Sequence, residues 1–134
     1  MSQENVEIVE TALDAMAQEG LDVFSEYWAD DVEWRAVEGA LDDRGPLHGK
    51  EACRAYVQDW LHTFDELTVE PKELIDAGAD QVVGVLRLNG RAKLSGIETQ
   101  LTYAVVYGVR AGKIARGREY ATRGDALEAA GLRE

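Results

Sequence analysis

From residue 67 to residue 121 the chain runs through four strand-like segments, 67–77, 81–90, 96–110 and 113–121, separated by Gly, Asp and Asn at turn positions. What precedes them reads mainly as helix. Helices first and consecutive strands after predict an α+β layout, with one curved antiparallel sheet packed by helices. Two of the strands, VVGVL and YAVVYGV, are apolar on both faces. Such a sheet needs cover on both sides, by helices on one and by a second copy of the chain on the other, so a homodimer is the expected assembly.

The helical part has clear periods. Val6, Val9, Leu13 and Met16 recur at three- and four-residue spacing behind a possible Ser2 cap, with Gly20 as terminator. Leu21, Phe24, Tyr27 and Trp28 continue the spacing in a second, short helix that ends near Asp30-Asp31, and 32–36 alternates as a short strand with Trp34 inward. Residues 37–49 collect Gly, Pro and Asp without a period and form a long loop, a candidate lid or pocket rim. Over 50–64, Cys53, Tyr56, Val57, Trp60, Leu61 and Phe64 share one stripe of a long amphipathic helix with an aromatic face. Pro71 suits an edge strand or bulge. Asp125 and Glu128 form a capping-box-like start to a last helix closed by Gly131.

Composition removes several function classes. The 134 residues suit one domain, 1–134, with a sizeable core. The N-terminal segment lacks the basic flank and apolar core of a signal peptide and no stretch is long enough to span a membrane, so a cytoplasmic location is expected. One cysteine, Cys53, and two histidines offer no zinc-ligand spacing, so neither a metal nor another cofactor is expected. The net charge of −12 opposes binding to nucleic acid or anionic membranes. That charge is uneven: residues 1–80 hold 21 acids against 5 bases, residues 81–134 hold 5 acids against 9 bases.

The element order, ADDVEW beginning at residue 29, the Gly49-initiated helix ending DWLHTF, and the closing GKIARGREY followed by a short helix ending EAAGL together resemble the SnoaL-like branch of the nuclear transport factor 2-like superfamily. The resemblance spans essentially the whole chain. It implies a cone, in which a bent antiparallel sheet wraps around the long helix and leaves an apolar pocket at the open end, with dimers formed through the outer sheet face. The superfamily includes ketosteroid isomerases, polyketide cyclases, epoxide hydrolases and members without chemistry, so the fold does not settle the function.

In the epoxide hydrolases the pocket-facing acid of the closing strand falls on Glu119 here. Alternation then sends Ala115, Gly117 and Ala121 inward beside it and Arg116, Arg118 and Tyr120 outward. The Arg and Asp that complete the hydrolase triad are missing, because the corresponding strand reads QVVGV from Gln81. The isomerase general base aligns with Trp34, which cannot take a proton. No second inward acid is expected.

Glu119 is therefore the one candidate for acid–base catalysis: a carboxyl in an apolar pocket resists ionisation and becomes a usable acid or base near neutral pH. The alternatives are a structural ion pair, with Arg87 as the partner that would keep it ionised, and a register that turns it to solvent. Trp34, Tyr56 and Trp60 can wall a pocket for flat polycyclic or terpenoid molecules, or can be plain core. Tyr27 and Tyr103 are candidate donors to a substrate oxygen, or buried hydroxyls with backbone partners, and His48 either lines the pocket mouth or is an exposed loop histidine. Cys53, without an adjacent base, reads as an inert core residue. The expected function is binding of a small hydrophobic molecule, with cofactor-independent isomerase, cyclase or hydrolase chemistry through Glu119. A non-catalytic ligand-binding module and a protein-interaction domain remain open beside it.

Overall fold

The computed structural model describes residues 2–132, without the side chain of Ser2, so the cap expected there lies outside the described residues. Two helices, α1 (Ser2–Glu19) and α2 (Leu21–Glu26), precede strand β1 (Trp28–Arg35). A loop leads to the two-residue strand β2 (Leu47–His48) and the long helix α3 (Gly49–Thr63). Four strands follow, β3 (Phe64–Gly78), β4 (Gln81–Ala92), β5 (Glu98–Arg110) and β6 (Lys113–Tyr120), and helix α4 (Arg123–Ala129) comes last.

One curved, unclosed six-stranded sheet runs in the order β2-β1-β6-β5-β4-β3. It is antiparallel throughout except at β1, which joins β6 in parallel. Two-residue turns at Ala79-Asp80 and Ala111-Gly112, each with both residues at positive φ, fix the β3–β4 and β5–β6 registers, because that turn geometry matches the strand twist. Register shifts along β3, one of them at Pro71, bend this edge strand. The sheet curls around α3, which sets Cys53 and Tyr56 against its concave face.

Two cores result. Val82, Leu86, Val105, Tyr107, Val109 and Ile114 face inward, where they meet α1 through Val9, Ala12 and Leu13 and α2 through Leu21 and Phe24. On the convex face Val83, Ala104 and Val106 lie under Ala126, Leu127 and Ala130 of α4. The apolar outer row that made a second subunit the expected cover is thus met, over these three residues, by the chain's own last helix. Thr122, not Asp125, caps that helix: its side chain accepts from the Asp125 N–H at 3.1 Å. At the other end the Gly131 and Leu132 N–H groups return to the carbonyls of Glu128 and Leu127, with Gly131 at φ 85, and Leu132 packs onto the outer core.

Three local expectations are corrected. The short helix stops at Glu26, and Trp28 to Asp31 already belong to β1, since the Tyr27 carbonyl accepts from Ile114 N–H at the sheet edge. In β6 the register shifts between Ile114 and Arg116, so Ala115 sits in a bulge and Ile114 takes the inward place expected of it. Ala121 falls beyond the strand and is exposed.

Candidate functional site

The concave side does not close completely. Between α1, α2, α3 and the sheet lies a cavity of about 150 Å³, lined almost wholly by apolar side chains that include Leu13, Met16, Phe24, Leu86, Leu88 and Val105. Its polar groups come from Glu119, Trp34, Tyr56, Trp60, Tyr103 and Tyr107, and among the described residues no Lys, Arg or His lines it.

Glu119 reaches the cavity because the β6 bulge restores alternation with Gly117, placing both on the concave face. Trp34 lies across β1 from Gly117, its register partner on β6. A Cβ on Gly117 would stand only 2.0 Å from the Trp34 ring, so glycine is what lets the indole lie flat on the neighbouring strand. There Trp34 packs edge-on against Tyr107, and its Nε1–H donates to Glu119 Oε2 at 2.8 Å. From α3 the Tyr56 hydroxyl lies 3.0 Å from Glu119 Oε2 and 3.2 Å from Oε1.

Burial pushes the Glu119 carboxyl up to about 7, with the charge of Asp42 adding to the rise and the bonds from Trp34 and Tyr56 opposing it. Burial likewise raises Tyr56, Tyr103 and Tyr107, each further opposed in its ionisation by the Glu119 charge, so all three remain neutral donors. The Tyr103 and Tyr107 hydroxyls make no hydrogen bond among the described residues. They stand on the same strand face, four residues apart, and are available to a guest in the cavity.

The second acid is Asp42, in the loop between β1 and β2. Its Oδ2 lies 3.0 Å from the Tyr56 hydroxyl and accepts from Trp60 Nε1 at 2.9 Å. Its neighbour Asp43 makes this placement firm. Asp43 accepts from the Gly39 and Gly45 N–H groups, both at 2.9 Å, and from Arg35, and these donors hold its carboxyl at about 2. Arg44 pairs with Asp59 on α3, which ties the loop to the helix. Of the two readings of this loop, lid or rim, these contacts fit the rim.

The structure brings together five of the eight residues singled out from the sequence, Glu119, Trp34, Tyr56, Trp60 and Tyr103. The other three lie elsewhere. Arg87 is on the convex face in register with Glu70, because the inward row of β4 is Val82, Leu86 and Leu88. His48 is an exposed edge residue paired with Glu33 at 3.0 Å. Tyr27 packs against the inner core away from the cavity. Cys53 is buried, its thiol pushed up to about 11 by burial and by Glu33, consistent with an inert core residue.

Asp42 and Tyr107 were missed. For Tyr107 a signal existed: it is in phase with Tyr103 on one strand, so if one points inward both do. For Asp42 none did, since nothing in the pair Asp42-Asp43 says which acid is turned to the pocket.

The fold and the site together define a cone whose open concave side holds an apolar pocket with one desolvated acid. The SnoaL-like domain profile matches residues 9–117, and the chain belongs to that family. Among solved structures it is similar to a nuclear transport factor 2-like protein from Burkholderia thailandensis, at 24% identity and TM-score 0.77, over 96% of this chain and 97% of that one. It is also similar to a Mycobacterium tuberculosis protein in complex with estradiol-17beta-hemisuccinate, at 20% identity and TM-score 0.74, over 90% and 95%. A third is a protein with a ketosteroid isomerase-like fold from Catenulispora acidiphila in complex with trimethylamine, at 19% identity and TM-score 0.72, over 94% and 93%. At these identities the likeness is one of fold. No curated protein matches the chain. No helix among the described residues is long and apolar enough to cross a membrane.

Proposed function

We propose that the chain is a cofactor-independent acid–base catalyst acting on a small, neutral molecule about one ring in size that carries an acceptor oxygen. The observation that supports this reading is a carboxyl poised at about 7 in an apolar cavity that also offers two unpartnered phenols. A general base works best when its pKa lies near the working pH, and burial has brought Glu119 there.

Size and charge narrow the substrate. An apolar cavity of about 150 Å³ is enough for a benzene-sized guest. The flat polycycle suggested by the aromatic residues, or a steroid such as the one bound by the Mycobacterium tuberculosis protein, has several fused rings where this volume suits one. An anion would be repelled by Glu119 and Asp42 and would find no cation in the lining.

The chemistry follows from the placement of groups. Ionised Glu119 removes a proton from a carbon next to a carbonyl, the electron pair moves onto the carbonyl oxygen, and Tyr103 or Tyr107 donates to that oxygen as charge develops. Glu119 then delivers a proton to a different carbon, which moves the double bond. A cyclohexenone with its double bond β,γ to the carbonyl is a suitable probe, followed by the ultraviolet absorbance of the conjugated product. Glu119→Gln keeps the size of the side chain and removes the base. Conversion should fall by roughly 10²–10⁴-fold while binding, read from Trp34 and Trp60 fluorescence, changes little. Equal conversion by the wild type and the variant would contradict the proposal.

A second reading is a binding module without chemistry. It is favoured by the fact that both Glu119 oxygens are already engaged by Tyr56 and one also by Trp34. This reading predicts binding of ring-sized ketones with no conversion by either protein.

A further inference from the structure

Tyr56 touches two acids with one hydroxyl proton. Its oxygen lies 3.0 Å from Asp42 Oδ2 and 3.0 Å from Glu119 Oε2. If both carboxyls were ionised, one of these contacts would set oxygen lone pairs against each other in a partly buried site. Both become hydrogen bonds when one carboxyl carries a proton. With that proton on the deeper acid, Glu119 would donate to Tyr56 and Tyr56 to Asp42, which also accepts from Trp60.

We propose that Glu119, Tyr56 and Asp42 form a proton relay that lets the pocket acid exchange protons with solvent while a guest fills the cavity. In the exchange the Glu119 proton passes to the Tyr56 oxygen as the Tyr56 proton passes to Asp42. Tyr56 ends as it began, never as a phenolate, and one negative charge moves from Asp42 to Glu119. Asp42 then gives its proton to water. It is placed to do so, because it is half-buried on the rim, outside the cavity lining, and its Oδ1 has no partner among the described residues. The strong upward shift of Tyr56 agrees with a hydroxyl that relays without ionising.

Among the described residues the surroundings offer no competing route. The groups acting on Glu119 are Trp34 from β1, Tyr56 from α3, Tyr103 and Tyr107 from β5, and Asp42 from the loop. Among the described residues, helices α1 and α2 and strands β3 and β4 present only apolar side chains to the cavity, including Leu13, Phe24, Val69 and Leu88. Arg44 acts on Tyr56 and Asp42 from the rim and is held by Asp59. The relay rests on Glu119 being the acid–base group of the site, and it makes the clamped loop a working part of that site.

Carbon-13 NMR of labelled carboxyls in the ligand-free protein tests the coupling without any substrate. In the wild type, Asp42 and Glu119 should both respond at the Glu119 midpoint, as carboxyls joined through a shared proton do. In Tyr56→Phe the response of Asp42 at the Glu119 midpoint should be much reduced. Asp42→Asn keeps an acceptor for Tyr56 and Trp60 but cannot take a proton, and its isotope readout below serves if the phenylalanine variant does not fold. An Asp42 signal that is flat across the Glu119 transition, or coupling unchanged in Tyr56→Phe, would overturn the relay.

Turnover of the β,γ-cyclohexenone in heavy water gives the second readout. The wild type should place deuterium at the receiving carbon, whereas Asp42→Asn and Tyr56→Phe should return several-fold more of the original protium. Equal retention in all three would also overturn the relay. Absence of turnover in every protein would count against the acid–base function and leave the titration as the judge of the relay.

Discussion

The two faces of the β4–β5 hairpin start from the same material and end differently. Both rows are apolar, yet the outer row of Val83, Ala104 and Val106 is sealed by Ala126, Leu127 and Ala130, while the inner row borders a cavity of about 150 Å³. The difference lies in the covering helix. α4 offers mainly small residues and can sit close to the strands, whereas α3 carries Tyr56 and Trp60, which line the hollow without filling it and whose polar tips bond Asp42 at the rim and, for Tyr56, Glu119 as well. Close packing on one face supplies stability, and the other face is free to hold a desolvated acid that lowers it.

The largest effect should come from removing the inner acid, with conversion of a ring-sized ketone by Glu119→Gln down by roughly 10²–10⁴-fold. Stability should show the mirror image. Leu127→Ala on the sealed face should cost about 2–5 kcal/mol in chemical denaturation, while Leu101→Ala, at a residue that lines the cavity and is 42% exposed, should cost less than about 1 kcal/mol. Equal costs at the two positions would erase the distinction between the faces.

The acid itself carries a stability cost with a definite sign. Its carboxyl rises from the ordinary 4.5 to about 7 in the fold, so the folded chain binds the proton more tightly than the unfolded chain does. The Glu119 contribution to stability is therefore full below about pH 4.5 and is lost as pH rises through about 7, by about 3 kcal/mol. Glu119→Gln should flatten that slope and be the more stable protein at about pH 8. Urea titrations across this window measure it, and parallel curves for the two proteins would contradict it. Asp43 acts at the other end, since its lowered carboxyl contributes stability that is lost as pH falls toward about 2.

A smaller effect should come from Gly117→Ala, which places a methyl group in the Trp34 ring. It should cost about 1–3 kcal/mol through overpacking. By pulling Trp34 Nε1 away from Glu119 it should also move that acid's midpoint further up. Crystallography of the variant with Trp34 unmoved would contradict the second part.

Much of this architecture was readable in advance because it is written in local periods. The helical stripe through Tyr56 and Trp60 and the strands 81–90 and 96–110 needed only spacing and turn residues. The resemblance supplied the cone and the inward sense of Glu119. What stayed hidden depended on register or on loop conformation. Tyr27 and Trp28 continue a helical spacing that is cut short by pairing with β6, which no local pattern reveals. Arg87 was assigned to Glu119 although it is in phase with Asn89 and Arg91, the polar outer row of its own strand. Asp42 is turned to Tyr56 by a loop whose shape comes from Asp43 gripping Gly39, Gly45 and Arg35, and identical neighbouring acids cannot announce such a division of roles.

The most direct measurement is the titration of the Glu119 carboxyl itself by carbon-13 NMR, assigned by its disappearance in Glu119→Gln. A desolvated acid in an apolar hollow predicts a midpoint near 7 in the ligand-free protein. A midpoint near the ordinary 4.5 would show the carboxyl in contact with water and contradict the site as described.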